Sequence, residues 1–277
     1  MGAEPDAFLG GRLRLRQPPR GAHRAGTDAV LLARLLAPAP GATLYDLGAA
    51  TGAVGLAVAR LTEVGRVVLV ERDPGLAALA RDNVSANGLD GRVVVIEADL
   101  LAPGAQRRAA GLAPESADIV LTNPPFFEAG THRASPVPLK AAAHTFAVGG
   151  LDLWLRTCAD LLRPGGRLVV QAGSPYFAPQ AFWCIAATVA SAGLSVTPYH
   201  VDVPSFGDWG FVLAARGAAP VPSVDPAVAD ELRFLDGDVL AAATVFPKDR
   251  SQDRSVEIST LDRPRILQYE ARGWRGY

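Results

Sequence analysis

Asn123-Pro124-Pro125-Phe126 brings together the groups needed to methylate a planar amine. The Asn123 side-chain oxygen and the Pro124 carbonyl can each accept a hydrogen bond from one NH2 group. Pro125 fixes its own φ and stiffens the turn, so both acceptors stay aimed. Phe126 offers a ring face on which a base or a planar amide can stack. An exocyclic amine on an aromatic ring is neutral and weakly nucleophilic, because its lone pair is delocalised. Acceptors on its two N–H bonds push electron density back onto nitrogen. Transfer from an activated methyl donor then rests on alignment and electrostatics, and no strong general base is required.

A second set of residues suits the donor. Asp46-Leu47-Gly48-Ala49-Ala50-Thr51-Gly52 reads as a strand end and a glycine-bearing turn before a helix. Gly48 and Gly52 allow the sharp turn and close approach of a ligand. A carboxylate at the strand end repels phosphate, so Asp46 suits a cationic ligand such as S-adenosylmethionine. Glu71 ends the next strand, where a carboxylate can take two ribose hydroxyls. Asp99 follows the third, where it can accept from an adenine amine. In open α/β sheets ligands bind at the carboxyl ends of the strands, and all three acids fall there.

The elements that must position these residues follow from the apolar pattern. Strands are expected at 43–48, 66–71, 92–97, 118–122 and 166–171, nearly continuous in Val and Leu as in a parallel sheet buried on both faces. Helices are expected near 53–62, 74–87 and 151–163, the second opened by Asp73-Pro74 and stopped by Gly88. A further helix near 178–192 and strands at 195–203 and 210–215 complete the pattern. The expected fold is α/β, a Rossmann-like sheet of seven mostly parallel strands with an antiparallel last strand. An N-terminal arm and capping helix (1–42) precede this domain (43–216), and a C-terminal extension (217–277) follows a Pro/Ala-rich break. The extension reads as a small helical cap or a partly disordered tail.

Bulk composition narrows the class. The chain has 277 residues, 49% apolar, with a net charge of -1, so it lacks the global basic field of many nucleic-acid binders. Cys158 and Cys184 stand apart without metal or redox spacing, so no metal site is expected. Glu4, Asp6 and several arginines leave no apolar run in the first twenty residues, and a cytoplasmic setting without a signal peptide is expected. Residues 168–201 carry no Asp, Glu, Lys or Arg, but Pro175, Pro179, Gly193 and Pro198 interrupt them. A buried strand and helix are expected there rather than a membrane span.

Residues 1 to about 168 resemble the bacterial valine-tRNA adenine-37 N6-methyltransferases. The resemblance rests on Gly26-Thr27-Asp28, Asp46 to Gly52, Val70-Glu71, Ala98-Asp99, Asn123 to Phe127, His132 to Pro136 and His144. It implies a class I methyltransferase fold and S-adenosylmethionine as cofactor. Thr27 and Asp28 would close over its methionine end, and the substrate would be an adenine in a single-stranded tRNA loop. Arg12, Arg14, Arg16, Arg20, His23 and Arg24 form a basic arm that can track phosphates or stand as a solvated terminus. At Ala50 many relatives have Gly.

From about 165 onward the chain resembles spermidine synthases instead, through Gln171 to Tyr176, Phe182-Trp183, Pro198 to His200, Pro204 to Phe211 and Val245 to Asp249. The chain reads as a mosaic with its seam near Gly165-Gly166. This second resemblance implies aminopropyl transfer from decarboxylated cofactor. The acceptor amine there is cationic and must lose a proton. The resemblance implies that acidic residues do this, one of them an aspartate in the loop after the fourth strand, where this chain has Asn123 and, at the wrong spacing, Glu128. Methylation of a protein glutamine amide, which presents the same NH2 geometry, and cofactor binding without turnover are the remaining readings.

Overall fold

The computed structural model describes residues 5–19, 25–26, 29, 32–33, 38–125, 127–128, 145–146, 150–203, 207–223, 236–253, 255–260 and 262–273. Its strands are β1 (Asp6–Phe8), β2 (Leu13–Leu15), β3 (Thr43–Leu47), β4 (Arg66–Glu71), β5 (Val93–Glu97), β6 (Ala117–Thr122), β7 (Phe127–Glu128), β8 (Thr145–Phe146), β9 (Leu162–Gln171), β10 (Ser195–Val203) and β11 (Gly207–Ala215). The helices are α1 (Ala53–Leu61), α2 (Pro74–Ala86), α3 (Gly104–Ala109), α4 (Gly150–Leu161), α5 (Pro179–Ser191), α6 (Gly237–Ala242) and α7 (Arg265–Gly273).

Seven strands form one sheet in the order β10-β11-β9-β6-β3-β4-β5. Parallel pairing joins β9, β6, β3, β4 and β5. The last strand in sequence among the described residues, β11, slots between β9 and β10 and is antiparallel to both, the antiparallel last strand that the methyltransferase resemblance implies. Successive residues of each strand feed opposite faces. Leu47, Val68, Val70, Leu168 and Val170 join α4 and α5 in one core. Leu44, Leu69, Leu121, Val169 and Phe211 join α1 and β2 in the other. The Asp73 side chain caps α2 by accepting from Leu76 N at 2.8 Å, with Pro74 in its first turn. Gly88, at φ +64°, lets the chain leave that helix.

The N-terminal arm is docked where the structure describes it. Leu13 and Leu15 are fully buried while Arg12, Arg14 and Arg16 face outward. Two asparagines one helical turn apart, Asn83 on α2 and Asn87 at its C-cap, act as a strand partner. Asn83 exchanges bonds with the Arg16 backbone at 2.7 and 3.0 Å, and Asn87 with the Arg14 backbone at 2.9 and 2.8 Å. Four helical residues rise about 6 Å and two strand residues about 6.6 Å, so the spacings match. The basic arm therefore follows a fixed track at 13–16; Arg20, His23 and Arg24 lie outside the described residues.

The C-terminal extension is docked as well. Ser195 and Thr197 donate to the Gly217 and Pro220 carbonyls, and His200 N to the Ala243 carbonyl, which covers the free edge of β10. Helix α7 buries Ile266 and Tyr269, and Ser259 N donates to Thr188 Oγ1 on α5. β9 runs without a break through Gly165-Gly166, where both glycines bond the Arg216 backbone. Among the described residues, no helix is long and apolar enough to cross a membrane.

Candidate active site

The glycine loop between β3 and α1 owes its shape to three left-handed residues, Gly48 (φ +75°), Ala50 (φ +48°) and Gly52 (φ +84°). A Cβ on Gly48 would sit 3.0 Å from the Trp154 ring, and one on Gly52 would sit 2.7 Å from Leu69 Cδ1. Both positions therefore require glycine for packing and for φ. Ala50 adopts the same region with a methyl group, at a cost of about 1 kcal/mol.

Asp46 is 3% exposed, and its Oδ2 accepts from Gly55 N at 2.8 Å. It thus ties the strand end to the first turn of α1. Burial pushes its carboxyl up to about 7; the Gly55 N–H opposes this rise, and the nearby Glu71 carboxylate adds to it. Glu71 is also buried, with Oε2 accepting from Ala50 N at 2.9 Å and Oε1 from Asp73 N at 2.8 Å. It fixes the glycine loop, and each oxygen retains lone-pair capacity for a ligand hydroxyl. Asp99 is exposed two residues beyond β5 and accepts from Leu101 N at 2.9 Å. Two buried carboxylates beside a glycine turn with no basic side chain from 46 to 52 fit a cationic, ribose-bearing cofactor and oppose a pyrophosphate.

The loop after β6 lies beside this cradle. Leu47 pairs with Thr122, the last pair in the β3–β6 register, so Gly48 and Asn123 each begin the loop that leaves one of two adjacent parallel strands. Asn123 is half-buried, Pro124 buried and Pro125 half-buried. The expected neighbours Phe126, Thr27 and Asp28 lie outside the described residues, as do His132 to Pro136 and His144.

Several supports of the site were not foreseen in the sequence. Trp154 Nε1 donates to Thr122 Oγ1 at 2.9 Å, and that hydroxyl donates to the Leu47 carbonyl at 2.9 Å. The indole thus braces both strand ends from beneath Gly48. Asn83, fully buried, donates to the Thr51 carbonyl at 2.9 Å and joins the glycine loop to β2. Gln171 ends β9 one residue past the Thr122–Val170 pair, and among the described residues nothing donates to its buried Oε1. In sequence, Trp154 reads as one of a helical apolar set and Asn83 as a surface polar residue.

Comparison with known proteins places this geometry. Residues 23–181 match the family described as Methyltransferase small domain. The chain is 40% identical to the polyamine aminopropyltransferase of Mycobacterium tuberculosis over 233 residues, 82% of this chain and 41% of the relative. It is 36% identical to polyamine aminopropyltransferase 1 of Streptomyces coelicolor over 245 residues, 86% and 42% of the two chains. The chain thus spans about two fifths of these relatives' length. An aligned length of 233 residues exceeds what 165–277 can hold, so this likeness crosses the Gly165-Gly166 seam.

Among solved structures, a predicted O-methyltransferase from Agrobacterium tumefaciens is 27% identical with a TM-score of 0.51, covering 73% of this chain and 93% of that one. The spermidine synthase of Thermotoga maritima superposes with a TM-score of 0.57 at 16% identity, covering 82% and 72%, which speaks to the fold alone. The seven-stranded sheet, the glycine loop and the match over more than half the chain agree: the protein belongs to the methyltransferase small domain family.

Proposed function

We propose that the chain is an S-adenosylmethionine-dependent methyltransferase acting on the exocyclic N6 amine of an adenine in tRNA. One observation supports the reading: Gly48 and Asn123 each directly follow the last pair, Leu47–Thr122, of the β3–β6 register, so the loop carrying the amine acceptor leaves the sheet next to the glycine loop. Asp46, Gly48, Gly52 and Glu71 would hold the cofactor, with Asp99 at its adenine end and Thr27 and Asp28 at its methionine end. The cofactor supplies an activated methyl group on a sulfonium. Asn123 and Pro124 accept from the two N–H bonds of the adenine amine, and Phe126 stacks on the base. Alignment of nitrogen, methyl and sulfur contributes several kcal/mol, and the amine proton leaves to solvent after transfer. Arg12, Arg14 and Arg16, exposed on β2 and immediately either side of it, offer contacts to the RNA backbone.

The named relatives favour a second reading, and they favour it more directly than the first. Similarity to polyamine aminopropyltransferases over 82% of the chain supports transfer of an aminopropyl group from decarboxylated S-adenosylmethionine to a polyamine. Against it stands the loop after β6, which offers the Asn123 amide where a cationic amine needs a proton acceptor. The test is to incubate the purified chain separately with S-adenosylmethionine plus total tRNA and with the decarboxylated donor plus putrescine. N6-methyladenosine in the RNA supports the first reading. Spermidine in the second reaction, with unmodified RNA, replaces it by the second.

A further inference from the structure

His200 on β10 has an acceptor in front of each ring nitrogen. Nδ1 lies 2.6 Å from Asp208 Oδ1, and Nε2 lies 3.1 Å from the Val245 carbonyl oxygen. A neutral imidazole carries one N–H, so only the imidazolium donates to both. The contacts join three pieces of chain. Asp208 on β11 also meets Arg250 Nη1 at 3.3 Å through its second oxygen. The Asp208 carbonyl accepts from the Ser174 hydroxyl at 2.6 Å, and the Ser174 oxygen accepts from Tyr176 N and Phe177 N at 3.2 Å each. The Arg250 guanidinium lies 4.6 Å from the Tyr176 ring centre, and its carbonyl accepts from Trp183 Nε1 at 2.9 Å. Phe246 packs on the His200 ring at 4.7 Å and on Trp183 at 4.9 Å.

We propose that His200 is a positioning residue: as an imidazolium it latches residues 243–251 to β10 and β11 and thereby fixes the Ser174–Phe177 loop. That loop begins three residues past Gln171, at the end of the strand beside β6. Its role on the acceptor side rests on the function proposed above; the latch itself does not.

The sign of the pH effect follows from the contacts. The bond to Asp208 raises the His200 pKa above its usual value, against the opposing effect of burial, with smaller contributions from Val245 and Asp208 that raise it and from Arg250 that lowers it. The latch is therefore complete below about 6.5 and is lost as pH rises through the raised value. Other charged groups near it are Asp202, opposite Asp208 on β10, and Asp249 beside Arg250. From α5 the packing partners are Phe182 and Trp183, which carry no charge.

The test is amide exchange, read by mass spectrometry, on the full chain and on His200→Gln from pH 5.5 to 9 without substrate. Comparing the two proteins at each pH cancels the intrinsic exchange rate. At pH 5.5 the wild type should exchange about tenfold more slowly at 246–250 and at 174–177, the scale of a lost charged hydrogen bond. The ratio should approach one by pH 9, with β3 and β4 unchanged. A ratio that stays constant with pH, or one that changes at 246–250 alone, overturns the proposal. If His200→Gln does not fold, Asp208→Asn takes its place: a lower midpoint supports the latch and an unchanged midpoint overturns it. Because no acceptor is present, a chain without transferase activity still gives the answer.

Discussion

Replacing Asp46 with Asn separates the cost of the glycine-loop carboxylate from its use. The Asp46 carboxyl is buried, and its pKa is raised from 3.8 to about 7. The folded state therefore holds this proton more tightly than the unfolded chain does. The associated stability is fully present below about pH 4 and is lost as pH rises through about 7. Each tenfold change in proton affinity is worth about 1.4 kcal/mol, so on the order of 4 kcal/mol disappears across that interval. Asparagine keeps the shape and an oxygen for Gly55 N. Asp46→Asn should leave stability below about pH 4 almost unchanged and raise it at pH 8 by about 2 to 4 kcal/mol, measured by urea unfolding.

The same substitution should weaken cofactor binding. A cationic ligand beside Asp46 recovers the energy of the desolvated carboxylate, so wild-type affinity for S-adenosylmethionine should rise up to about tenfold per pH unit below 7 and level off above it. Dividing the wild-type affinity by that of Asp46→Asn at each pH cancels titration of the ligand's own amino group. Calorimetry from pH 5.5 to 8.5 gives this ratio. A flat ratio, with no gain in stability at pH 8, would refute the argument that Asp46 is a buried carboxylate awaiting a cation.

Two further perturbations probe the support of the loop. Asn83→Ala removes the bonds to Thr51 O and to both polar groups of the Arg16 backbone; it should cost about 2 to 4 kcal/mol in urea unfolding and weaken cofactor binding, and a loss below about 1 kcal/mol would contradict the role. Ala50→Gly relieves a φ of +48° but makes the unfolded chain freer, for a net gain of about 0.5 kcal/mol, whereas Gly48→Ala meets the Trp154 ring and should lose about 2 kcal/mol or more; equal effects of the two would sink the loop geometry described here.

The sheet was legible because strands buried on both faces leave continuous apolar runs. β3, β4, β5 and β6 fall within a residue or two of the expected spans. β9 begins four residues earlier than expected, directly after α4, because Leu162 pairs with Ala117 across a register shift. The acids at strand ends could be found because their positions follow from the strands. Their partners could not: the bonds from Gly55 to Asp46 and from Ala50 and Asp73 to Glu71 depend on how the turn closes. The docking of β2 was hidden for the same reason, since Asn83 and Asn87 satisfy backbone groups 67 and 73 residues away. The arginines around Leu13 and Leu15 read as a charged arm, yet their alternation with two leucines buries one face.

The most direct test of the central claim is nucleoside analysis of tRNA after incubation with labelled S-adenosylmethionine and either the wild-type chain or Asn123→Ala. The account predicts label in N6-methyladenosine with the wild type, and a loss of at least about a hundredfold with Asn123→Ala, the scale of one transition-state hydrogen-bonding group, while both proteins bind the cofactor alike. Undiminished transfer by Asn123→Ala, or unlabelled RNA alongside spermidine made from the decarboxylated donor, would contradict it.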